Sequence, residues 1–187
     1  MPIFGQLAFA RLPRLQNTTC CSACSEATYS SSASRALNRN TSAIPSSTIV
    51  SVVADVEVNR KTGRVWVKQY TVSHDCGVIV NPGGLKMTLE GNLMQATSRT
   101  LYEQVQFEPD KVTSVDWARY PICEIDDVPG AVEFVLINRP DAPPTGAGEA
   151  TMRCVSSALA NAIYDATGVR FRKAPLNPER IRAGLSA

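Results

Sequence analysis

The fold is decided by the stretch Ile49-Val-Ser-Val-Val-Ala-Asp-Val-Glu-Val58 and the run Arg64-Val-Trp-Val-Lys-Gln-Tyr-Thr-Val72 that follows it. Both runs are rich in β-branched residues, and the cluster Asn59-Arg-Lys-Thr-Gly63 between them has the composition of a turn. The pattern predicts a β-hairpin with a loop of about five residues. Its second strand leads into His74-Asp-Cys-Gly77, which we expect at one end of the sheet.

Further strands and helices are predicted after the hairpin. In chain order they are a helix from Leu85 to about Gln104 after the breaker Asn81-Pro-Gly-Gly84, a strand over Ala131–Ile137, a helix from Ala150 to Ala166 that Gly168 ends, and a short helix beginning at Asn177-Pro-Glu179. Gly91 interrupts the first helix, and this glycine can allow a neighbour or a ligand to approach the backbone. Because strands and helices alternate without a regular βαβ repeat, the pattern indicates an α+β fold.

Composition excludes several classes of function. The 187 residues correspond to about one domain. The net charge of +2 does not indicate a nucleic-acid partner. No apolar run approaches the roughly 20 residues of a membrane helix, so we expect no membrane span. The single histidine, His74, excludes any metal site that needs two imidazoles from this chain.

Residues 1–48 are predicted to form an irregular leader that is rich in Ser, Thr and Cys. Two interpretations remain open: an organellar transit peptide, or a solvated segment without targeting function, which we favour because no amphipathic helix can be drawn there. The thiols Cys20, Cys21 and Cys24 lack the second pair that a four-thiolate metal site needs. We interpret them as incidental thiols in a reducing compartment. The location of the protein stays open, with the cytoplasm slightly favoured.

The motif Gly146-Ala-Gly148-Glu149 precedes the helix of small residues. Glycines let the backbone approach a ligand closely, and backbone amides at a helix N-terminus can hold an oxyanion. A carboxylate at this place can act as a general base. The alternative is a glutamate that caps the helix after a glycine loop, and spacing alone favours that alternative.

A second group of polar residues is Asp75-Cys-Gly-Val-Ile-Val-Asn81-Pro82 followed by Glu90-Gly91-x-x-x-Gln95. An amide on a largely buried helix can hydrogen-bond a polar cofactor, whereas Asp and Asn at the end of a strand more often terminate structure. We interpret His74 as a structural residue, because no serine or cysteine nucleophile is paired with it in a recognisable pattern.

Together these motifs resemble the C-terminal part of the molybdopterin-binding large subunit of the xanthine dehydrogenase and aldehyde oxidase family. The segment from Asp75 to Pro82 is similar to the family pattern D-x-G-x-x-x-N-P. The segment from Glu90 to Gln95 is similar to E-G-x-x-x-Q-G, and the segment from Pro143 to Glu149 is similar to P-P-x-G-x-G-E. The resemblance covers about residues 49–185 and is strongest to isoquinoline 1-oxidoreductase and nicotinate dehydrogenase type subunits. Residues 49–187 are therefore expected to be the C-terminal portion of a molybdopterin-binding domain, with a mixed sheet and packed helices.

The resemblance implies a function and a set of partners. The chain would be part of a molybdenum-cofactor-dependent oxidoreductase that hydroxylates an aldehyde or an electron-poor N-heterocycle with oxygen from water. Glu149 would be the general base, and Gln95, Gly148 and Gly91 would lie beside the molybdenum–pterin cofactor, with no metal ligand from the protein. The expected partners are the remainder of the subunit, an iron–sulfur subunit and a small-molecule substrate. The alternative is a truncated remnant or interaction module that binds no cofactor alone, and we expect the isolated chain to be inactive.

Overall fold

The β-hairpin predicted from the sequence is the first element of the computed structural model, which describes residues 48–186. Strand β1 spans Ile49–Val58 and strand β2 spans Val65–Asp75, and the two pair antiparallel. The register shifts between Asp55 and Val56, where the ladder bulges. The hairpin is confirmed; apart from Thr48, the predicted leader lies outside the residues that the structure describes.

The sheet is mixed, as expected. Strand β5, Ala131–Ile137, pairs parallel with β2, so that the strand order is β1-β2-β5. A parallel pair needs a long crossover connection, and helix α1, Pro82–Leu101, lies within it. The rest of this connection contains the two-residue strands β3 and β4, Phe107–Glu108 and Lys111–Val112, and one turn of 3-10 helix over Ile125–Asp127.

Helix α1 begins three residues before the predicted start at Leu85. The side chain of Asn81 accepts a hydrogen bond from the Gly84 N–H at 2.9 Å, and Pro82 occupies the first turn, where it has no N–H to leave unpaired. The sequence that we interpreted as a breaker is therefore the N-terminal cap of the helix. The predicted end near Gln104 is also wrong, because the helix ends at Leu101 and Gly91 continues it without a break.

Helices α2 and α3 span Met152–Thr167 and Pro178–Leu185. The predicted start of α2 at Ala150 is two residues too early. Gly168 follows α2 in the left-handed conformation, with φ of 77°, which glycine adopts without a steric penalty. Asn177 caps α3 as predicted, by accepting a hydrogen bond from the Arg180 N–H at 2.9 Å.

The core lies between one face of the sheet and the helices α1 and α2. Alternate residues of β1 and β2 are buried on this face, where they meet the leucines of α1 and the small apolar residues of α2: the central members are Val50, Val52, Val67, Val72, Leu89, Leu93, Val155, Leu159 and Ile163. A buried hydrogen bond of 2.7 Å joins the hydroxyls of Tyr70 and Thr97 and so links β2 to α1. Within residues 48–186, no helix has the length and apolar character needed to cross a membrane.

Candidate functional site

The loop that leads into α2 is fastened to the sheet before it reaches Glu149. The Thr145 N–H donates to the carbonyl oxygen of Cys76 at 2.9 Å, just beyond the end of β2. The hydroxyl of Thr48 donates to the carbonyl oxygen of Gly146 at 2.8 Å, just before β1 begins. Gly146 itself has a φ of 81°, which a residue with a Cβ rarely adopts. The first half of the loop is therefore positioned by the two ends of the hairpin.

Asn92 of α1 holds the second half of the same loop. Its side-chain Nδ2 donates to the carbonyl oxygen of Gly148 at 2.7 Å, and the Ala147 carbonyl oxygen lies 3.4 Å away. The side chain of Asn92 is buried between α1 and the loop. We did not single out this residue from the sequence. The available signal was a polar side chain between Leu89 and Leu93, on the face of the helix that packs into the core, where a polar group needs a partner.

The carboxylate of Glu149 is exposed and makes no hydrogen bond or ion pair with any of residues 48–186. Only the backbone of Glu149 contributes to the start of α2, because its carbonyl oxygen accepts from the Met152 N–H at 3.2 Å. The N-cap residue of α2 is Thr151, and no side chain caps this helix. The capping alternative for Glu149 is therefore wrong, and the carboxylate is available to a ligand.

Gly91 and Gln95 lie one turn apart on the exposed side of α1. The Gln95 amide has no hydrogen-bond partner among the residues that the structure describes. A Cβ built on Gly91, Gly146 or Gly148 would meet no atom of residues 48–186 within 4 Å, so no described residue covers the backbone at these glycines.

An open cavity of about 280 Å³ lies between α1 and the start of α2. Its lining residues are Ala96, Arg99, Glu149, Met152, Arg153 and Ser156. The Arg99 guanidinium reaches across to α2, where its Nη1 lies 2.9 Å from the Met152 sulfur. Two guanidinium groups and one carboxylate thus face the same space, and the wall carries a net positive charge. Gln95 precedes Ala96 of this wall but does not itself line the cavity.

The Asp75-to-Pro82 motif has a structural role. Nε of Arg139 lies 2.9 and 2.8 Å from the two carboxylate oxygens of Asp75, which also accepts a hydrogen bond from the Gly77 N–H at 3.0 Å. Gly77 has a φ of 81°, and a Cβ built there would lie 2.1 Å from the carbonyl oxygen of Pro143. This motif therefore fixes the ends of β2 and β5 against the loop that carries Glu149.

His74 is completely buried at the end of β2. Its Nδ1 lies 3.4 Å from the Thr151 hydroxyl, and its Nε2 has no hydrogen-bond partner within residues 48–186. Burial lowers the pKa of the imidazole below its ordinary value, and the nearby Asp75 opposes this effect in part. His74 is thus a buried neutral residue beneath the start of α2, consistent with the structural interpretation.

Comparison with known proteins identifies the family. The family model of the molybdopterin cofactor-binding domain matches residues 15–129, which is more than half of the chain. The chain belongs to this family. The matched range begins within the predicted leader, further toward the N-terminus than the motifs indicated, and it ends before β5 and the loop of Gly148 and Glu149.

Individual relatives of this molybdopterin-binding domain are oxidoreductases. A nicotinate dehydrogenase subunit of Pseudomonas putida is 46% identical over 133 residues, which are 71% of this chain and 11% of the relative. The beta chain of the isoquinoline 1-oxidoreductase of Brevundimonas diminuta is 26% identical over 69% of this chain and 16% of the relative. Among solved structures, the aldehyde oxidoreductase of Desulfovibrio gigas superposes with a TM-score of 0.67 at 30% identity, covering 75% of this chain and 16% of that one. The domain therefore spans less than a fifth of the length of these relatives.

The chemistry of Gln95, Gly91 and Gly148 fits contact with a molybdenum–pterin cofactor. The unpartnered Gln95 amide can bind a polar edge of the pterin, and the open backbone at Gly91 and Gly148 leaves room for its ring. Within the described part of the chain, no three His, Cys, Asp or Glu side chains are grouped to hold a metal ion.

Proposed function

We propose that this domain contributes the general base to a molybdenum-cofactor-dependent oxidoreductase that hydroxylates an aldehyde or an electron-poor N-heterocycle with oxygen from water. The observation that supports this proposal most directly is the state of Glu149. Its carboxylate is exposed, has no partner among residues 48–186, and extends from a loop that three other elements hold in place. A general base needs a free carboxylate on a backbone that is held in place, and these contacts support that role for Glu149.

Each of the candidate site residues has a distinct part in the proposed reaction. Gln95 binds the cofactor through its amide, while Gly91 and Gly148 let the cofactor approach the backbone. The molybdenum–pterin group, when bound, supplies the two-electron redox chemistry. Glu149 accepts the proton of the water-derived hydroxyl that attacks the substrate carbon, and Asn92 keeps the Glu149 loop at a constant distance from α1. The remainder of the subunit provides the other walls, and an iron–sulfur subunit accepts the electrons.

The test of this proposal is Glu149→Gln in the chain assembled with the remainder of the subunit and the iron–sulfur subunit. Loss of an essential base should lower kcat by about 10²- to 10⁴-fold. The molybdenum content of the assembled enzyme should stay unchanged, because Glu149 is not a metal ligand. The control is Glu179→Gln, which removes an exposed carboxylate from the first turn of α3. Turnover of Glu149→Gln equal to that of this control would refute the role of the base.

A second candidate function is a remnant or interaction module that binds no cofactor alone. Its support is that the described residues form an open cavity of about 280 Å³, whereas a cofactor site usually encloses most of its ligand. Metal analysis of the purified 187-residue chain distinguishes the two candidates. Stoichiometric molybdenum in the isolated chain would exclude the remnant.

A further inference from the structure

The cavity beside Glu149 contains more positive charge than the structure neutralises. Arg99 comes from α1 and Arg153 from the first turn of α2, and both line the same space. Neither guanidinium has a carboxylate within 4 Å in the part of the chain that the structure describes, whereas Arg64 and Arg139 are paired with Asp127 and Asp75.

The acidic residues near the cavity do not compensate this charge. Glu103 accepts a hydrogen bond of 2.8 Å from the Tyr120 hydroxyl instead of pairing with Arg99. Glu149 supplies one negative charge against two positive charges and forms no ion pair with either guanidinium. Two like charges that share one cavity repel each other, and a bound anion would relieve that repulsion. The guanidinium group is also the side chain best shaped to bind a carboxylate through two parallel hydrogen bonds.

The cavity has room for a small ligand. A volume of about 280 Å³ accommodates a small organic acid and is at the lower limit for ligand pockets in general. The non-ionic lining residues add little polarity: Ala96 offers a methyl group, and the Ser156 hydroxyl is engaged with that of Thr100 at 2.7 Å. The charged groups therefore dominate recognition in this space.

We propose that Arg99 and Arg153 form an oxyanion subsite that binds the carboxylate of a small organic-acid substrate beside Glu149. This inference rests on the proposed function for the identity of the ligand as substrate. Held by the two arginines, the acid presents the rest of its skeleton to the Glu149 carboxylate in the same cavity. The domain thereby selects anionic substrates over their neutral analogues, and the arginines are binding residues that do not transfer the proton.

The test uses the purified 187-residue chain without cofactor, titrated with benzoate and with the neutral analogue benzamide by calorimetry. Benzoate should bind at least about tenfold more tightly than benzamide, since a charge-assisted pair is lost with the amide. Arg99→Gln and Arg153→Gln should each weaken benzoate binding by roughly tenfold or more. Arg60→Gln, in the exposed turn between β1 and β2, is the matched control and should bind as the wild type does.

Folding controls, a charge-conserving variant and a phosphate titration complete the test. Circular dichroism and Tm establish that each variant is folded, and Arg153→Lys, which keeps the charge, should recover part of the affinity lost in Arg153→Gln. Equal binding of benzoate and benzamide, or no benzoate binding in the millimolar range, would overturn the subsite. Inorganic phosphate that binds at the two arginines while benzoate does not would also overturn it and would assign the arginines to a phosphate group instead.

The benzoate titration and the turnover measurement on Glu149→Gln test separate claims. Glu149→Gln should keep benzoate binding, or strengthen it, because it removes a repelling charge from the cavity. If Glu149→Gln retains turnover in the assembled enzyme while benzoate binding depends on the arginines, the role of the base fails and the subsite stands. If turnover is lost and benzoate does not bind, the base stands and the subsite fails.

Discussion

The side chain of Asn92 donates a hydrogen bond of 2.7 Å to the carbonyl oxygen of Gly148, the residue before Glu149. This bond joins the middle of α1 to the end of the loop, two elements that are 56 residues apart in the chain. It sets the distance between the open face of α1 and the carboxylate of Glu149. The position of the proposed base therefore depends on an amide whose hydrogen bonds go to the backbone of its loop.

Asn92→Ala should remove the partly buried hydrogen bond to the Gly148 carbonyl oxygen and lower the free energy of unfolding by about 0.5–1.5 kcal/mol. The measurement is urea denaturation of the 187-residue chain. Gln95→Ala, on the same helix, removes an exposed amide that has no partner in the described part of the chain, and its stability should match that of the wild type. Equal stability of the two variants would show that the bond to Gly148 contributes nothing.

Arg139→Gln should destabilise the chain far more than Arg119→Gln does. Arg139 contacts both carboxylate oxygens of Asp75 in a largely buried pair, whereas the side chains of Arg119 and Asp116 are 63% and 50% exposed and 3.8 Å apart. Removing one partner of a buried pair leaves an uncompensated charge and costs about 3 kcal/mol. The exposed pair should contribute at most about 1 kcal/mol. Thermal unfolding at low and high salt measures both, and only the effect of Arg119→Gln should disappear in salt.

His74 should make the chain less stable in acid. Burial lowers the pKa of the folded imidazole below its ordinary value of 6.5, so the unfolded chain binds the proton more readily. The stabilisation from this residue is therefore fully present above about pH 6.5 and is lost as the pH falls toward the folded pKa. Because His74 is the single histidine of the chain, one imidazole signal in the NMR spectrum reports its titration. His74→Gln should abolish this part of the pH dependence of stability; an unchanged slope would assign it to the carboxylates.

Two glycines should respond to alanine in opposite directions. Gly77→Ala places a Cβ 2.1 Å from the Pro143 carbonyl oxygen at a φ of 81°, so we expect a loss of more than about 2 kcal/mol. Gly91→Ala places a methyl group in open space within α1 and should raise stability by roughly 0.5–1 kcal/mol. Differential scanning calorimetry provides both values. In the assembled enzyme, Gly91→Ala should still reduce the molybdenum content, because the methyl group occupies the space that we propose for the cofactor.

The local patterns of the sequence were sufficient to predict most of the fold. Runs of β-branched residues on either side of a turn cluster predicted β1 and β2, although β2 continues three residues beyond the predicted Val72, and the 131–137 run predicted β5 with its bounds. The start of α1 was wrong because Asn81 and Pro82 are favoured both in turns and at helix N-termini, so composition alone does not separate the two. The parallel pairing of β2 with β5 was not predictable in register, since it depends on contacts such as that of Asp75 with Arg139 across 64 residues.

The candidate site was predictable in part. The glycines around Glu149 indicated a ligand-facing loop, but the sequence does not show whether the carboxylate is bound by the helix, and spacing favoured the capping alternative that the structure contradicts. The grouping of Arg99 with Arg153 was also hidden, because it requires α1 and α2 to pack side by side. A site built from side chains on distant elements can be identified only once the packing of the helices is known.

The Glu149 loop and the segments around it are held by long-range contacts, such as those of Thr48 with Gly146 and of Asp75 with Arg139. These contacts affect the order in which the chain folds. Val58 faces Val65 across a short loop, so the hairpin closes at a low cost in chain entropy. The loop of Glu149, in contrast, is held by partners 55 to 98 residues away. Contacts of such high sequence separation form late, because the long intervening chain must first be ordered. We therefore expect the residue that carries the proposed chemistry to be among the last to reach its place as the chain folds.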